Sequence, residues 1–241
     1  MGRRFGAGRH VSWLPAAAVI VVILVFNLLN NWLLATATAF IRPIELLLLV
    51  VLARSFGLTL ADVGLARTTW KRGLRWAGAA IGGVAVAFSV ALALPLTRVA
   101  FLDRRAEMGV GSAVLEAAVP VFVGTVLLEE FAFRGVLWAM VHRVRGPTYA
   151  TAISSVAFGL WHVLPALGLH ADNRAIGDLA GDRPGAVLAV VVLGVTSATL
   201  VGVLLCELRR RSGSLLAPIG LHWATNGLGY VFAAVAWATF G

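Results

Sequence analysis

Residues 113–141 read AVLEAAVPVFVGTVLLEEFAFRGVLWAMV, an apolar run that carries Glu129, Glu130 and Arg134 past its midpoint. Crossing the hydrocarbon core of a bilayer takes about 20 residues of helix. A charge at that depth costs about 2.5–3.5 kcal/mol on insertion scales, so such residues usually mark a pathway or a site. Composition decides whether the run lies in lipid. Of 241 residues, 60% are hydrophobic and 13% charged, whereas soluble chains carry about a quarter charged residues. A disordered chain and a disulfide scaffold are excluded, and the single Cys206 has no partner for a bridge or a cysteine-based metal motif.

Working outward from 113–141, six further apolar runs emerge: 12–29, 32–53, 75–96, 147–168, 186–206 and 214–240. The expected fold is an all-α, polytopic transmembrane helical bundle of about seven spans, forming one transmembrane domain over 1–241. The Asn30-Asn31 link makes the first two runs a helical hairpin. Arg42, Pro43 and Glu45 interrupt the second, where Arg42 and Glu45 read as a structural pair or as an arginine reaching for another partner. Arg3, Arg4 and Arg9 before the first run resemble the start of a signal peptide. The apolar stretch is long and Ala35-Thr36-Ala37 lies well beyond it, so an uncleaved first helix is expected.

The net charge of +9 would suit nucleic acid, but cytoplasmic loops of membrane proteins collect Lys and Arg. With the N-terminus inside, 13 basic residues (Arg3, Arg4, Arg9, Arg54, Arg67, Lys71, Arg72, Arg75, Arg143, Arg145 and Arg209 to Arg211) fall on the cytoplasmic side, against 5 (Arg98, Arg104, Arg105, Arg174 and Arg183) opposite. The expectation is a multi-pass protein of the cell membrane, N-terminus cytoplasmic and C-terminus opposite, with membrane lipid and no nucleic acid as partner. Segment 54–76 mixes Leu, Val and Trp with basic residues and reads as an amphipathic stretch on the cytoplasmic interface. Gly78 and Gly82 form a small-xxx-small pair suited to close helix packing.

Depth groups the polar residues. At about 1.5 Å of rise per residue, Glu129 and Asn226 lie about 18–20 Å from the cytoplasmic ends of their spans, His162 about 22 Å and His222 about 12–14 Å. Three helices thus bring polar groups to similar depth. Glu130 and Arg134, four apart, share a face and can pair; Glu129 is turned about 100° from Glu130, leaving one carboxylate free for proton transfer. His222 and Asn226, also four apart, can face one cavity. His10, His142 and His170 sit near span ends or in loops and receive no role.

Glu129-Glu130-Phe131-Ala132-Phe133-Arg134 reads EExxxR, Phe158 to His162 reads FxxxH, and His222 to Asn226 reads HxxxN. In this order on successive helices they resemble the CPBP (Abi/CAAX protease) family, which includes type II CAAX prenyl endopeptidases and relatives linked to bacteriocin immunity. The resemblance covers a motif-bearing core of about 113–232, and Leu60-Ala61-Asp62-Val63-Gly64-Leu65 is also similar. It implies an intramembrane endopeptidase acting on a membrane-anchored or prenylated peptide or protein. Glu129 and His162 would activate water, and His222 and Asn226 would donate to the oxyanion. Glu130, Arg134 and Phe158 would support the site. A metal-free glutamate mechanism is favoured, HExxH being absent. The alternative is zinc on Glu129, His162 and His222, since two His and a carboxylate are also a zinc ligand set. Two other readings remain open: a non-catalytic membrane scaffold or bacteriocin-immunity factor, and an ion-coupled transporter, which predicts an inverted repeat that the sequence does not display.

Overall fold

The structure, a computed structural model, describes residues 12–180 and 184–241. Arg3, Arg4, Arg9, His10, Asp182 and Arg183 lie outside the described residues. The described residues form an all-α membrane bundle, with no β-strand beyond one isolated bridge between Asp103 and Asn173. Helix is what lipid demands, because a spanning segment must satisfy its own backbone. The helices are α1 (Leu14–Leu33), α2 (Thr38–Ser55), α3 (Trp70–Ala93), α4 (110–145), α5 (147–161), α6 (Val163–Asp172), α7 (Arg174–Ala180), α8 (Pro184–Ser212) and α9 (216–240).

Among the described residues, four segments are long and apolar enough to cross a membrane: Leu14–Leu33, Arg67–Ala93, Val110–Trp161 and Gly185–Ser212. The third is two helices, because Gly146 adopts φ 81° and ψ −176° ahead of Pro147 and breaks the hydrogen-bond ladder between α4 and α5. Of the helices outside that set, α6 and α7 are short and α2 and α9 are polar. Helix α2 carries Arg42, Glu45 and Arg54, and α9 carries His222 and Asn226. Outward-facing Leu188, Leu193 and Leu200 of α8 and Val86 and Val90 of α3 are exposed, as expected where the surrounding solvent is hydrocarbon.

Two details differ from the sequence reading, and a third decides between its alternatives in favour of an arginine that reaches for another partner. The fifth run does not continue to 168, because His162 leaves helical geometry (φ −84°, ψ 1°) and separates α5 from α6. Arg42 and Glu45 do not bond to each other: Arg42 Nη1 donates to Thr125 Oγ1 at 3.0 Å, and Glu45 Oε2 accepts from Asn30 Nδ2 at 3.2 Å. A Cβ on Gly78 or Gly82 would meet nothing within 4 Å, so that pair makes no tight crossing; α3 instead approaches α9 closely where Ala77 lies against Gly220.

Segment 54–76 divides. Its centre forms tight turns whose Leu58 and Val63 are buried in the core, while Leu60, Trp70, Leu74 and Trp76 stay exposed. Asp62 Oδ2 accepts from the Thr59 backbone N–H (2.7 Å) and from Arg143 Nη2 (3.0 Å), and Arg143 also donates to the carbonyls of Phe56 and Gly57. Gly64 takes φ 79°, and a Cβ there would collide with the Arg209 guanidinium, which donates to the Asp62 carbonyl. The Leu60–Leu65 stretch is therefore a clasp gripped by the ends of α4 and α8.

Partial burial of Asp62 would raise its pKa, but the bonds from Thr59 and the charge of Arg143 outweigh this and hold it below the ordinary carboxylate range. A depressed acid stabilises the fold above its unfolded pKa of about 3.9, and that contribution is lost as pH falls through the folded value. Asp62→Asn is expected to loosen the clasp by about 1 kcal/mol, the usual worth of such a side-chain cap, and to remove its acid sensitivity. Hydrogen exchange at the Thr59 amide between pH 3 and 7 reads both; identical exchange in wild type and variant would refute the assignment.

Candidate active site

The motif residues meet where α4, α5 and α9 pack together. Wide, π-type turns run through Phe131–Leu137 of α4 and Ala224–Leu228 of α9, a distortion common at functional sites. Glu130 and Arg134 are both fully buried, with Arg134 Nη1 donating to Glu130 Oε1 at 3.0 Å. This is the pair that the four-residue spacing predicted. The guanidinium Cζ lies 3.9 Å from the centre of the Phe158 ring, a cation–π contact, and neither Nε nor Nη2 has an acceptor among the described residues. The absence of a side chain on Gly202 makes room: a Cβ there would stand 3.3 Å from Arg134 Nη2.

His222 links the two acids. Its Nδ1 lies 2.8 Å from Glu130 Oε1, its Nε2 is 3.2 Å from Asn226 Nδ2, and Nε2 is 3.9 Å from Glu129 Oε2. A carboxylate and an amide N–H oriented in this way assign the proton to Nδ1 and the lone pair to Nε2 in the neutral ring. His222 is 4% exposed, with Glu130 bonded at Nδ1 and Glu129 facing Nε2.

Glu129 is held differently. Its Oε1 accepts from the Trp161 indole at 3.1 Å, while Oε2 is buried without a hydrogen-bond partner among the described residues. Trp161 is positioned in turn by Asn27 of α1, whose Nδ2 donates to its carbonyl at 2.8 Å. Glu45 on α2 is 1% exposed and is held by Asn30.

His162 stands apart from this network. Its Nδ1 lies 2.8 Å from the Phe158 carbonyl; a carbonyl only accepts, so Nδ1 carries the hydrogen and Nε2 keeps its lone pair. His162 and Asn226 both line a cavity of about 920 Å³, with Arg42, Asp103, Glu116 and Tyr230 elsewhere on its wall. The structure thus joins Glu129, Glu130, Arg134, His222 and Asn226 through bonded or near-bonded contacts, and brings His162 to the cavity beside Asn226 without a hydrogen bond to the others. Neither His222 nor Glu129 forms part of the cavity wall.

Trp161, Asn27, Asn30 and Glu45 were not among the site residues expected from sequence. The signal was there for two of them, since Asn27 and Glu45 are polar groups inside apolar runs and carry the same cost that drew attention to Glu129, whereas Asn30 falls in the link between two runs. Trp161 occupies an unspecified position of FxxxH, and nothing in its spacing distinguished it. As for metal, no three His, Cys, Asp or Glu side chains among the described residues converge closely enough to hold an ion. Both ring nitrogens of His222 are engaged by Glu130 and Asn226, so Glu129, His162 and His222 do not form a zinc cage in this arrangement.

Compared with known proteins, residues 111–228 match the family model described as type II CAAX prenyl endopeptidase Rce1-like. No match was found among curated proteins or among solved structures. The matched segment contains EExxxR, FxxxH and the first five residues from His222 to Asn226 in their expected order. That match, over just under half of the chain, supports a CPBP/CAAX protease family assignment.

Proposed function

We propose that this chain is a seven-span intramembrane endopeptidase of the cell membrane, a single domain with its N-terminus cytoplasmic and its C-terminus opposite. The spans are α1, α2, α3, α4, α5 with α6, α8 and α9. The motif-bearing core is about 113–232, and the exposed Leu60, Trp70, Leu74 and Trp76 of segment 54–76 rest at the cytoplasmic interface. Its substrate is a membrane-associated or lipidated peptide or protein. The observation that carries the reading is the free, buried Oε2 of Glu129, whose other oxygen is pinned by Trp161.

In this proposal a water between Glu129 and the His162 Nε2 lone pair attacks the substrate carbonyl, and Glu129 Oε2 takes its proton. Negative charge grows on the carbonyl oxygen as the tetrahedral centre forms. Asn226 donates to that oxygen directly. His222 donates after taking the water-derived proton from Glu129 Oε2 onto Nε2, while Nδ1 keeps its bond to Glu130. It returns that proton to Glu129 before collapse. Preorganised donors of this kind are worth about 3–4 kcal/mol each. Collapse of the intermediate breaks the C–N bond, and the proton held by Glu129 passes to the departing amine. No step requires a metal.

Purified wild type and His162→Ala, assayed on a panel of membrane-anchored peptides, should differ at least about a hundredfold in turnover. Equal turnover by both would point to a non-catalytic scaffold. Wild-type protein stripped by chelator should keep its activity; loss that zinc restores would overturn the metal-free mechanism.

A further inference from the structure

A smaller cavity of about 270 Å³ lies where the ends of α4 and α8 grip the Leu60–Leu65 clasp, with Ala61, Asp62, Trp138, His142, Arg143 and Arg209 on its wall. Its charges do not cancel. Asp62 and Arg143 pair at 3.0 Å, which leaves the guanidinium of Arg209. Arg209 is 6% exposed, and no carboxylate among the described residues lies at salt-bridging distance from it. Glu207, also in the last turn of α8, is taken by Arg210 and Arg211. The one hydrogen bond that Arg209 makes to a described residue runs from Nη2 to the Asp62 carbonyl at 2.9 Å, and its Nε is buried without an acceptor among them. Buried charges are ordinarily paired, because removing an uncompensated one from water is costly. A guanidinium in this state calls for an anion from outside the chain.

We propose that this cavity binds a phosphate group, held by Arg209 at the basic end of the bundle. Arginine is the residue of choice for phosphate, and phosphate is the anion that every membrane surface presents. Gly64 covers the Nε and Nη2 edge, where a Cβ would collide with the guanidinium, so Nη1 is the donor left for a ligand. The Trp138 ring, 5.6 Å from Arg209 Cζ, and the His142 ring stacked on it at 4.7 Å form an aromatic wall beside that donor. Asp62 would repel an anion, but Thr59 and Arg143 already engage its carboxylate. Volume limits the ligand: the cavity is smaller than the sites of about 300–1,000 Å³ that take drug-sized molecules, which suits a headgroup phosphate or a free phosphate and not a peptide. Arg54, Arg145, Arg210 and Arg211 lie at the neighbouring ends of α2, α4 and α8, and basic pockets between membrane helices are known headgroup sites. Leu60, beside Ala61, is exposed and available to an acyl chain.

Ala61 supplies the probe, since it is exposed and on the cavity wall. The purified full chain in neutral detergent is offered phosphatidylglycerol or the zwitterionic phosphatidylcholine at equal concentration. Native mass spectrometry should show the anionic lipid retained at least about tenfold more, one decade in Kd. Ala61→Glu places a carboxylate in the cavity and Arg209→Gln removes the cation. Both should lose that preference, while Ala61→Gln, matched in size to glutamate, keeps it. Arg209→Gln also removes a bond to the clasp, so Ala61→Glu, with every arginine in place, decides if that variant unfolds. Titration with inorganic phosphate, followed by the thermal unfolding midpoint, separates the two sources. A midpoint that rises in wild type but not in Ala61→Glu, without any lipid preference, assigns the site to a soluble phosphate. Lipid retention and phosphate response that are the same in wild type and Ala61→Glu overturn the proposal, and leave the carbonyl end of α8 to compensate the guanidinium.

Discussion

Glu129→Gln is expected to lower turnover about a thousandfold, within the range of about 10²–10⁴ that a positioned general base contributes, while leaving the purified protein folded. The glutamine carbonyl can keep the bond from the Trp161 indole, so the local packing survives. The amide nitrogen that replaces Oε2 cannot accept a proton, and its hydrogens would face the His222 Nε2 lone pair, 3.9 Å from Oε2 in the native protein. The variant should therefore retain substrate, and co-purification of uncleaved membrane peptides with Glu129→Gln but not with wild type is the accompanying result. Turnover within threefold of wild type would remove Glu129 from the reaction.

Arg134→Met should produce the largest loss of stability. Glu130 and Arg134 are both at zero exposure, and removing one partner of a buried pair costs about 3–5 kcal/mol, because the remaining charge is left uncompensated. The Glu130 carboxylate would keep its contact with His222 Nδ1, so the loss would also disturb the histidine on which the proposed oxyanion site depends. Thermal unfolding in detergent should show a much lower midpoint for Arg134→Met, and Glu130→Gln combined with Arg134→Met should recover part of the loss. An unchanged midpoint in the single variant would show that the pair contributes nothing to the fold.

The sequence made much of this arrangement legible because helical spacing converts directly into angle. Four-residue separations placed Glu130 beside Arg134 and His222 beside Asn226, and the distances agree. What it could not supply were partners from distant helices. Nothing local indicates that His222 turns its Nδ1 to Glu130, 92 residues away, or that Asn27 reaches Trp161 across 134 residues. The break at His162 was hidden for a related reason: Val163 to Gly168 are apolar enough to continue a span, and the bond between the ring and the Phe158 carbonyl is available only once the chain has turned. Segment 54–76 read as one amphipathic stretch because its pattern of Leu, Val and basic residues suits one. Arg143 and Arg209 hold its centre in turns through backbone carbonyls, groups every residue possesses and no pattern reveals.

The grip of Asn27 on the carbonyl of Trp161 reaches into the matched segment from far upstream. An excised stretch spanning 111–228 would bring along every signature residue, yet the indole beside Glu129 would lose the amide that seats it, and Glu45 would be gone altogether. The signatures cannot be transplanted as a cassette: a chimera that grafts them onto a foreign leading hairpin must also reproduce an asparagine at the matching height, or it inherits the letters of the enzyme without its alignment.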